Sequence, residues 1–151
     1  MKLDLVFRNT SKNTVLNRVF FERIIEKALS IAQISSPKIE LSINIVGLKR
    51  ITDLNKKHRG KNKPTDVLSF PVQKDLISTK PHPGGIMNLG DIFISYPFVV
   101  REVGTDNKKI KNQIILLTVH GLLHLLEYDH ERSSKNEKQM FALQDKIVRS
   151  L

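Results

Sequence analysis

Residues 119–130 read Val-His-Gly-Leu-Leu-His-Leu-Leu-Glu-Tyr-Asp-His, and they constrain both the fold and the chemistry of the chain. His120 and His124 are four residues apart, among leucines, in a part of the chain with helical character. On a helix their imidazoles project from the same face, about one turn apart, and can share a metal ion. His130 can join them only if the helix ends near residue 126 and the chain folds back.

The composition limits the kind of metal site that is possible. The chain has no Cys, which excludes a disulfide scaffold, a thiol nucleophile and every Cys-based metal site. Three of the five histidines fall within residues 120–130. Three neutral imidazoles and one open position describe a catalytic zinc site, although imidazole also accepts nickel and other divalent ions. We interpret His58 and His82 as residues of polar loops without a metal role.

The segments around this stretch predict an α/β (α+β) domain. Alternating or short apolar patterns predict four strands, at residues 3–8, 39–45, 67–70 and 92–94. Helical spacing predicts helices over 14–34 and 48–57, and residues 73–88 are predicted to form an exposed loop. No repeat or linker divides the chain. We therefore expect one compact domain over residues 1–151, with a mixed sheet of about four strands, flanking helices and a metalloprotease-like zinc helix.

The C-terminal residues predict a further helix that supports the core. Residues 134–137 read Ser-Lys-Asn-Glu, which is a capping-box pattern for the start of a helix. Met140, Leu143, Ile147 and Leu151 follow as an apolar stripe at helical spacing. We expect this stripe to pack against the rest of the domain.

The positive charge is concentrated in one segment. The 151 residues include 25 Lys and Arg against 15 Asp and Glu, for a formal net charge of +10. Within residues 49–63 only Asp53 opposes the following cations: Lys49, Arg50, Lys56, Lys57, Arg59, Lys61 and Lys63. Such a cluster is either a solvated helix face and loop or a phosphate-binding patch. A polyanionic partner is favoured, because Lys and Arg replace the counterions condensed on phosphates.

The sequence predicts a cytosolic protein without a membrane partner. Its first residues have no apolar core of the kind that a secretory signal needs, since Asp4 and Arg8 interrupt them. The most apolar stretch, Ile114 to Leu126, is shorter than the roughly 20 residues that span a bilayer and contains two His.

The histidine spacing is also that of a class of zinc metalloproteases, which makes protease an alternative. Those enzymes use a Glu beside the first His as general base, and here that position is Gly121. Without that base, a zinc site is poorly equipped to hydrolyse amides. Phosphodiester cleavage gains more from such a site, because a metal-activated water acts there together with cations that stabilise the charge of the phosphorane. The chemistry therefore favours a nuclease over a protease that would need a carboxylate from elsewhere.

Three blocks of sequence resemble the YbeY family of bacterial zinc-dependent endoribonucleases that mature ribosomal RNA. Residues 120–130 are similar to its H-G-x-L-H-L-x-G-Y-D-H signature, and residues 63–71 to its P-T-D-V-L-S-F-P segment. Residues 89–95 resemble its G-D-I-x-I-S element. The blocks follow the family order, and the first two are specific.

The resemblance implies one zinc ion per chain, held by His120, His124 and His130. It implies single-strand-specific RNA cleavage in maturation of the 16S rRNA 3′ end and in ribosome quality control. The partners would be ribosomal RNA, the small subunit and ribosomal proteins, with no DNA expected. Arg59 matches the family arginine implicated in cleavage, and its planar fork suits a scissile-phosphate oxygen, although it could be one more solvated cation. An alternative is a non-catalytic assembly factor with a structural zinc.

Two features leave the details of the site open. Glu127 stands where the family has Gly. If the backbone keeps a positive φ there, Glu127 destabilises the fold by on the order of 1 kcal/mol. Alternatively the turn is remodelled, or the Glu127 carboxylate reaches the metal region and serves as a base. Asp66, Asp91 and Asp129 are either simple turn, strand-entry and surface residues, or one of them orients a ligand imidazole.

Overall fold

A computed structural model describes residues 2–72, 85–126 and 134–151 of the chain. The described residues form four strands and five helices, in the order β1 (Lys2–Asn9), α1 (Arg18–Ile31), β2 (Lys38–Val46), α2 (Leu48–Arg59), β3 (Val67–Pro71), β4 (Ile86–Ser95), α3 (Tyr96–Val103), α4 (Asn107–Leu125) and α5 (Ser134–Ser150). This order confirms the α/β class and the number of strands predicted.

The four strands form one sheet in the order β1-β2-β4-β3. β1 pairs with β2 and β2 pairs with β4 in parallel, whereas β3 lies antiparallel to β4 at the edge. Parallel neighbours need a crossover, and α1 provides it between β1 and β2. The predicted mixed sheet is therefore confirmed, with β2 and β4 at its centre.

The predicted loop over residues 73–88 is wrong at its C-terminal end. Ile86 to Asn88 pair with Lys38 to Glu40 of β2, so β4 begins six residues before the predicted start at Ile92. Met87 and Leu89 are buried while Ile86 is exposed, which is the alternation of a half-buried strand. Residues 73–84 lie outside the described part of the chain.

A glycine allows β3 and β4 to approach each other. The β2–β4 register shifts by one residue between Glu40 and Leu41, and Gly90 follows with a φ of +119°. A Cβ atom at Gly90 would lie 2.1 Å from the backbone oxygen of Phe70 in β3, which no side chain tolerates. The glycine of the 89–95 block is thus explained by a bulge and a close strand contact.

One face of the sheet carries the main hydrophobic core, against α1 and α4. Ile92 and Ile94 of β4 and Ile43 of β2 are completely buried there with Leu122 and Leu125 of α4, because alternate strand residues point to the same side.

In the part of the chain that the structure describes, no helix combines the length and the hydropathy needed to cross a membrane.

Helix α1 is shorter than the predicted segment 14–34. The Asn13 side-chain oxygen accepts hydrogen bonds from the backbone of Val15 and Leu16, which holds these residues in a turn. The Asn17 side chain then caps the helix by accepting from the backbone N–H of Phe20. Asn side chains compete in this way with helical hydrogen bonding, so the apolar spacing alone placed the start too early.

The opposite face of the sheet carries a much smaller apolar cluster, against α2. It comprises Val46, Ile51, Leu54 and Leu68, with Phe70 and Phe93 packed against it. Helix α2 extends to Arg59, two residues beyond its predicted end, and Gly60 closes it in the left-handed conformation with a φ of +69°. His58 therefore lies on a helix and not in the predicted loop. We refer to this side as the α2 face and to the other as the core face.

Candidate metal centre

Helix α4 places His120 and His124 on the core face of the sheet. The leucines at positions 122, 123 and 125 are buried and fix the helix, while the two histidines are half-buried. The helix ends at Leu125, and the Leu126 N–H still donates to the Leu122 carbonyl. The helix thus ends near residue 126, which is the end that His130 would need in order to fold back toward the other two histidines.

The two imidazoles meet through their Nε2 atoms. These atoms are 3.0 Å apart, and the ring planes are inclined at 77°. Two nitrogens bound to one tetrahedral zinc ion, each at 2.0–2.1 Å, would be about 3.3 Å apart. The observed 3.0 Å is the distance of an N–H···N hydrogen bond between the rings, and it is also close to the spacing of two ligands of a single ion.

A residue that the sequence analysis missed orients His120. Gln144 of α5 has its Oε1 2.9 Å from Nδ1 of His120. An amide oxygen can only accept, so the imidazole donates through Nδ1 and its Nε2 carries the lone pair that a metal needs. The sequence contained a signal for this contact, since Gln144 is four residues after Met140 and three before Ile147, within an otherwise apolar stripe.

Two of the three acidic residues considered for this orienting role, Asp66 and Asp91, have other partners, and Asp129 lies outside the described residues. Asp91 accepts a hydrogen bond from the Ser42 hydroxyl on the α2 face. Asp66 accepts from the backbone N–H of Val67, so it acts as the turn residue before β3. Among the described residues, the acceptor at Nδ1 of His120 is thus the amide of Gln144.

Gly121 brings α4 close to the sheet. It is buried, and a Cβ atom at this position would lie 3.1 Å from Cγ2 of Ile92. Any longer side chain would enter the core between α4 and β4. The position that holds the general base in the metalloprotease pattern therefore faces apolar side chains here, which is a structural argument against that alternative.

Three residues of the predicted site lie outside the described part of the chain: Glu127, Asp129 and His130. Among the described residues, no group of three or more His, Asp or Glu side chains is placed to hold a metal ion. The third ligand, His130, and the effect of Glu127 at the family glycine position stay predictions.

Arg59 is the exposed last residue of α2, which packs on the α2 face, whereas the histidine pair lies on a helix of the core face. The chain after it is held by Asn55, whose backbone oxygen accepts from Gly60 and Lys61 and whose side chain donates to the Lys63 carbonyl at 2.9 Å. Across the described residues, no hydrogen bond or ion pair joins Arg59 to either histidine.

Comparison with known proteins gives a consistent result. The model of a protein family described as "Endoribonuclease YbeY" matches residues 6–151. The endoribonuclease YbeY of Persephonella marina is 38% identical over 136 residues, which cover 90% of this chain and 84% of that protein. The one of Pelagibacter ubique is 37% identical over 151 residues, with 99% and 95% covered. The solution structure of TM1509 from Thermotoga maritima matches with a TM-score of 0.58 and 27% identity, covering 96% of this chain and 87% of that one.

Proposed function

Because the chain belongs to the endoribonuclease YbeY family, we propose that it is a zinc-dependent endoribonuclease that cleaves single-stranded RNA, in maturation of the 16S rRNA 3′ end and in ribosome quality control. Membership of this family supports an endoribonuclease role in general. The metal, the ribosomal substrate and the association with the small subunit and its proteins are the specific parts of the proposal.

The convergence of the His120 and His124 Nε2 atoms, 3.0 Å apart, carries the proposal for the metal. Gln144 accepts from Nδ1 of His120 and so keeps the Nε2 lone pair turned toward His124. We assign the third position to His130, which leaves room for water or substrate. A zinc ion bound there would acidify a water molecule and polarise a phosphoryl oxygen.

We assign Arg59 to the RNA backbone. It lies in the last turn of α2 with Lys56, Lys57 and His58, where cations interact favourably with the carboxyl end of the helix. Its guanidinium can donate two parallel hydrogen bonds to a phosphate, which would hold the substrate and stabilise charge that develops during cleavage. The +10 net charge adds a general attraction to RNA.

The test combines zinc analysis with cleavage of a single-stranded RNA and of a duplex of the same sequence. We expect the wild type to hold one zinc ion and to cut the single strand only. His124→Ala should lose both zinc and cleavage. Arg59→Ala should keep zinc but lose at least about tenfold in cleavage rate, since it removes a charge-assisted phosphate contact.

Arg101→Ala is the matched control, because it removes an exposed arginine from α3, which carries neither the histidine pair nor the cations of α2. It should keep zinc and cleavage. If the wild type holds zinc but cleaves no single-stranded RNA, the nuclease proposal fails and a structural zinc in an assembly factor replaces it. If Arg59→Ala cleaves as fast as Arg101→Ala, the assignment of Arg59 is wrong.

A further inference from the structure

The α2 face contains a cavity that the proposed cleavage chemistry does not use. It lies at the carboxyl end of β2, measures about 370 Å³, and has Arg8, Asn44, Arg50 and Phe93 among its lining residues. This volume is within the range of small-ligand sites. Within the described chain, no carboxylate lines the cavity, so its charge is entirely positive.

Two arginines flank the cavity from different elements. Arg8 belongs to β1 and Arg50 to the first half of α2, and both are exposed. Neither of them takes part in an ion pair with another described residue. Their guanidinium groups are therefore available to an anion, and their planar forks suit the oxygens of a phosphate.

An aromatic ring forms another wall. The Arg50 guanidinium lies over the ring of Phe93, with its carbon 5.9 Å from the ring centroid, and this ring packs edge-on against Phe70 at 5.7 Å. Phe93 is only half-buried, so part of its ring borders the cavity. Half-exposed aromatic rings beside cations are the usual platform on which single-stranded nucleic acids stack their bases.

A buried amide adds a requirement that a simple anion does not meet. Asn44 is 5% exposed, and its side-chain nitrogen donates to the Ser42 hydroxyl at 2.9 Å and to the Ile92 carbonyl at 3.2 Å. The remaining polar atom of this side chain is its oxygen, which only accepts. A ligand that uses the whole cavity therefore carries a negative charge, a flat ring and an N–H or O–H donor.

We infer that this cavity binds one nucleotide of a single-stranded RNA, with its phosphate between Arg8 and Arg50 and its base against Phe93. A base amino group or a ribose hydroxyl donates to the oxygen of Asn44. The ligand class rests on the proposed activity toward RNA. The subsite lies on the α2 face, so it holds the substrate away from the histidine pair.

Adenosine monophosphate is a suitable probe, because it contains no internucleotide bond that the protein could cleave. In NMR titrations it should shift the ring signals of Phe93. Inorganic phosphate or adenosine alone should bind at least about tenfold more weakly, since each meets only part of the site. Arg50→Ala should weaken binding of the nucleotide about tenfold through loss of a charge-assisted contact.

Arg23→Ala is the control, because Arg23 is an exposed arginine that lines a different basic cavity, between α1 and α4. It should change the affinity for the nucleotide less than twofold.

The isosteric Asn44→Asp should abolish binding by placing a carboxylate in the cavity, with the NMR spectrum reporting whether the fold is retained. For a single-stranded RNA, Arg50→Ala should reduce the slope of the logarithm of the binding constant against the logarithm of the salt concentration. The reduction should correspond to the loss of about one phosphate contact.

The inference is overturned if the nucleotide leaves the Phe93 signals unchanged, if inorganic phosphate binds equally well, or if Arg23→Ala weakens binding as much as Arg50→Ala. These measurements are separate from cleavage. A protein that binds the nucleotide here but cuts no RNA keeps the subsite and loses the proposed function. A protein that cuts RNA but binds the nucleotide independently of Arg50 keeps the function and loses the subsite.

Discussion

The two faces of the sheet have different compositions. The core face buries a large apolar cluster between the strands, α1 and α4, whereas the α2 face buries only Val46, Ile51, Leu54 and Leu68. The histidine pair lies on a helix of the core face, and the cations of residues 49–63 lie on or after α2. The histidine pair predicted to bind metal thus lies on the face with the extensive core, and the cation-rich segment lies on the face with the small one.

This difference has a physical reason. Two imidazoles can share an ion only if their nitrogens are held within a fraction of an ångström, which a helix fixed by buried leucines provides. Cations that attract a polyanion act over several ångströms and have to stay hydrated until the partner arrives. Substitutions on the core face should therefore affect folding and metal binding, and those on the α2 face mainly binding of RNA or, at Arg59, its cleavage.

The largest expected effect comes from placing a carboxylate at Gly121. Gly121→Glu would force a charged side chain against Ile92, at a cost of about 4 kcal/mol or more in the free energy of unfolding. Gly47→Glu is the control on the α2 face, because a Cβ atom at Gly47 has no neighbour within 4 Å, and it should cost about 1 kcal/mol or less. Urea denaturation measures both. Equal stabilities of the two variants would contradict the close packing of α4 on β4.

Adjacent residues of β4 give a sharper comparison of the two faces. Ile92 is fully buried on the core face, and Phe93 is half-buried on the α2 face. We expect Ile92→Ala to lower the free energy of unfolding by about 3 kcal/mol. Phe93→Ala should lower it by about 1–2 kcal/mol despite the larger side chain, since less of it is removed from water. If Phe93→Ala were the more destabilising of the two, the α2 face would be a second major core.

A smaller effect is expected at the contact that orients His120. Gln144→Leu removes the acceptor for Nδ1, and zinc affinity should fall about tenfold to a hundredfold as measured by competition with a chromophoric chelator. Gln144→Glu keeps an acceptor and should restore most of the affinity. Gln139→Leu changes an exposed residue of the same helix and should leave it unchanged. Wild-type affinity in Gln144→Leu would mean that this hydrogen bond has no part in metal binding.

The elements that were predicted correctly have strong local patterns. β1 and β2 alternate apolar and polar residues, and His120 and His124 have helical spacing, so their geometry follows from one segment each. The start of β4 was missed because residues 86–88 gain their strand conformation by pairing with distant residues of β2. Gln144 was missed for the same reason, since its partner is on another helix. Contacts between distant segments leave only a weak local signal, such as a Gln within an apolar stripe.

From the parallel pairing of β2 with β4 we expect a particular order of folding. It joins Lys38–Val46 to Ile86–Ser95, so α2 and β3 lie inside the loop of chain that this pairing closes. Closing a long loop costs chain entropy before any contact is gained, which slows folding. Helix α4, by contrast, forms from local hydrogen bonds. Loop closure is therefore the step expected to limit the folding rate. In a chain paused before it, we expect the helix of the histidine pair to be formed already, while the basic helix still lacks the sheet on which it packs.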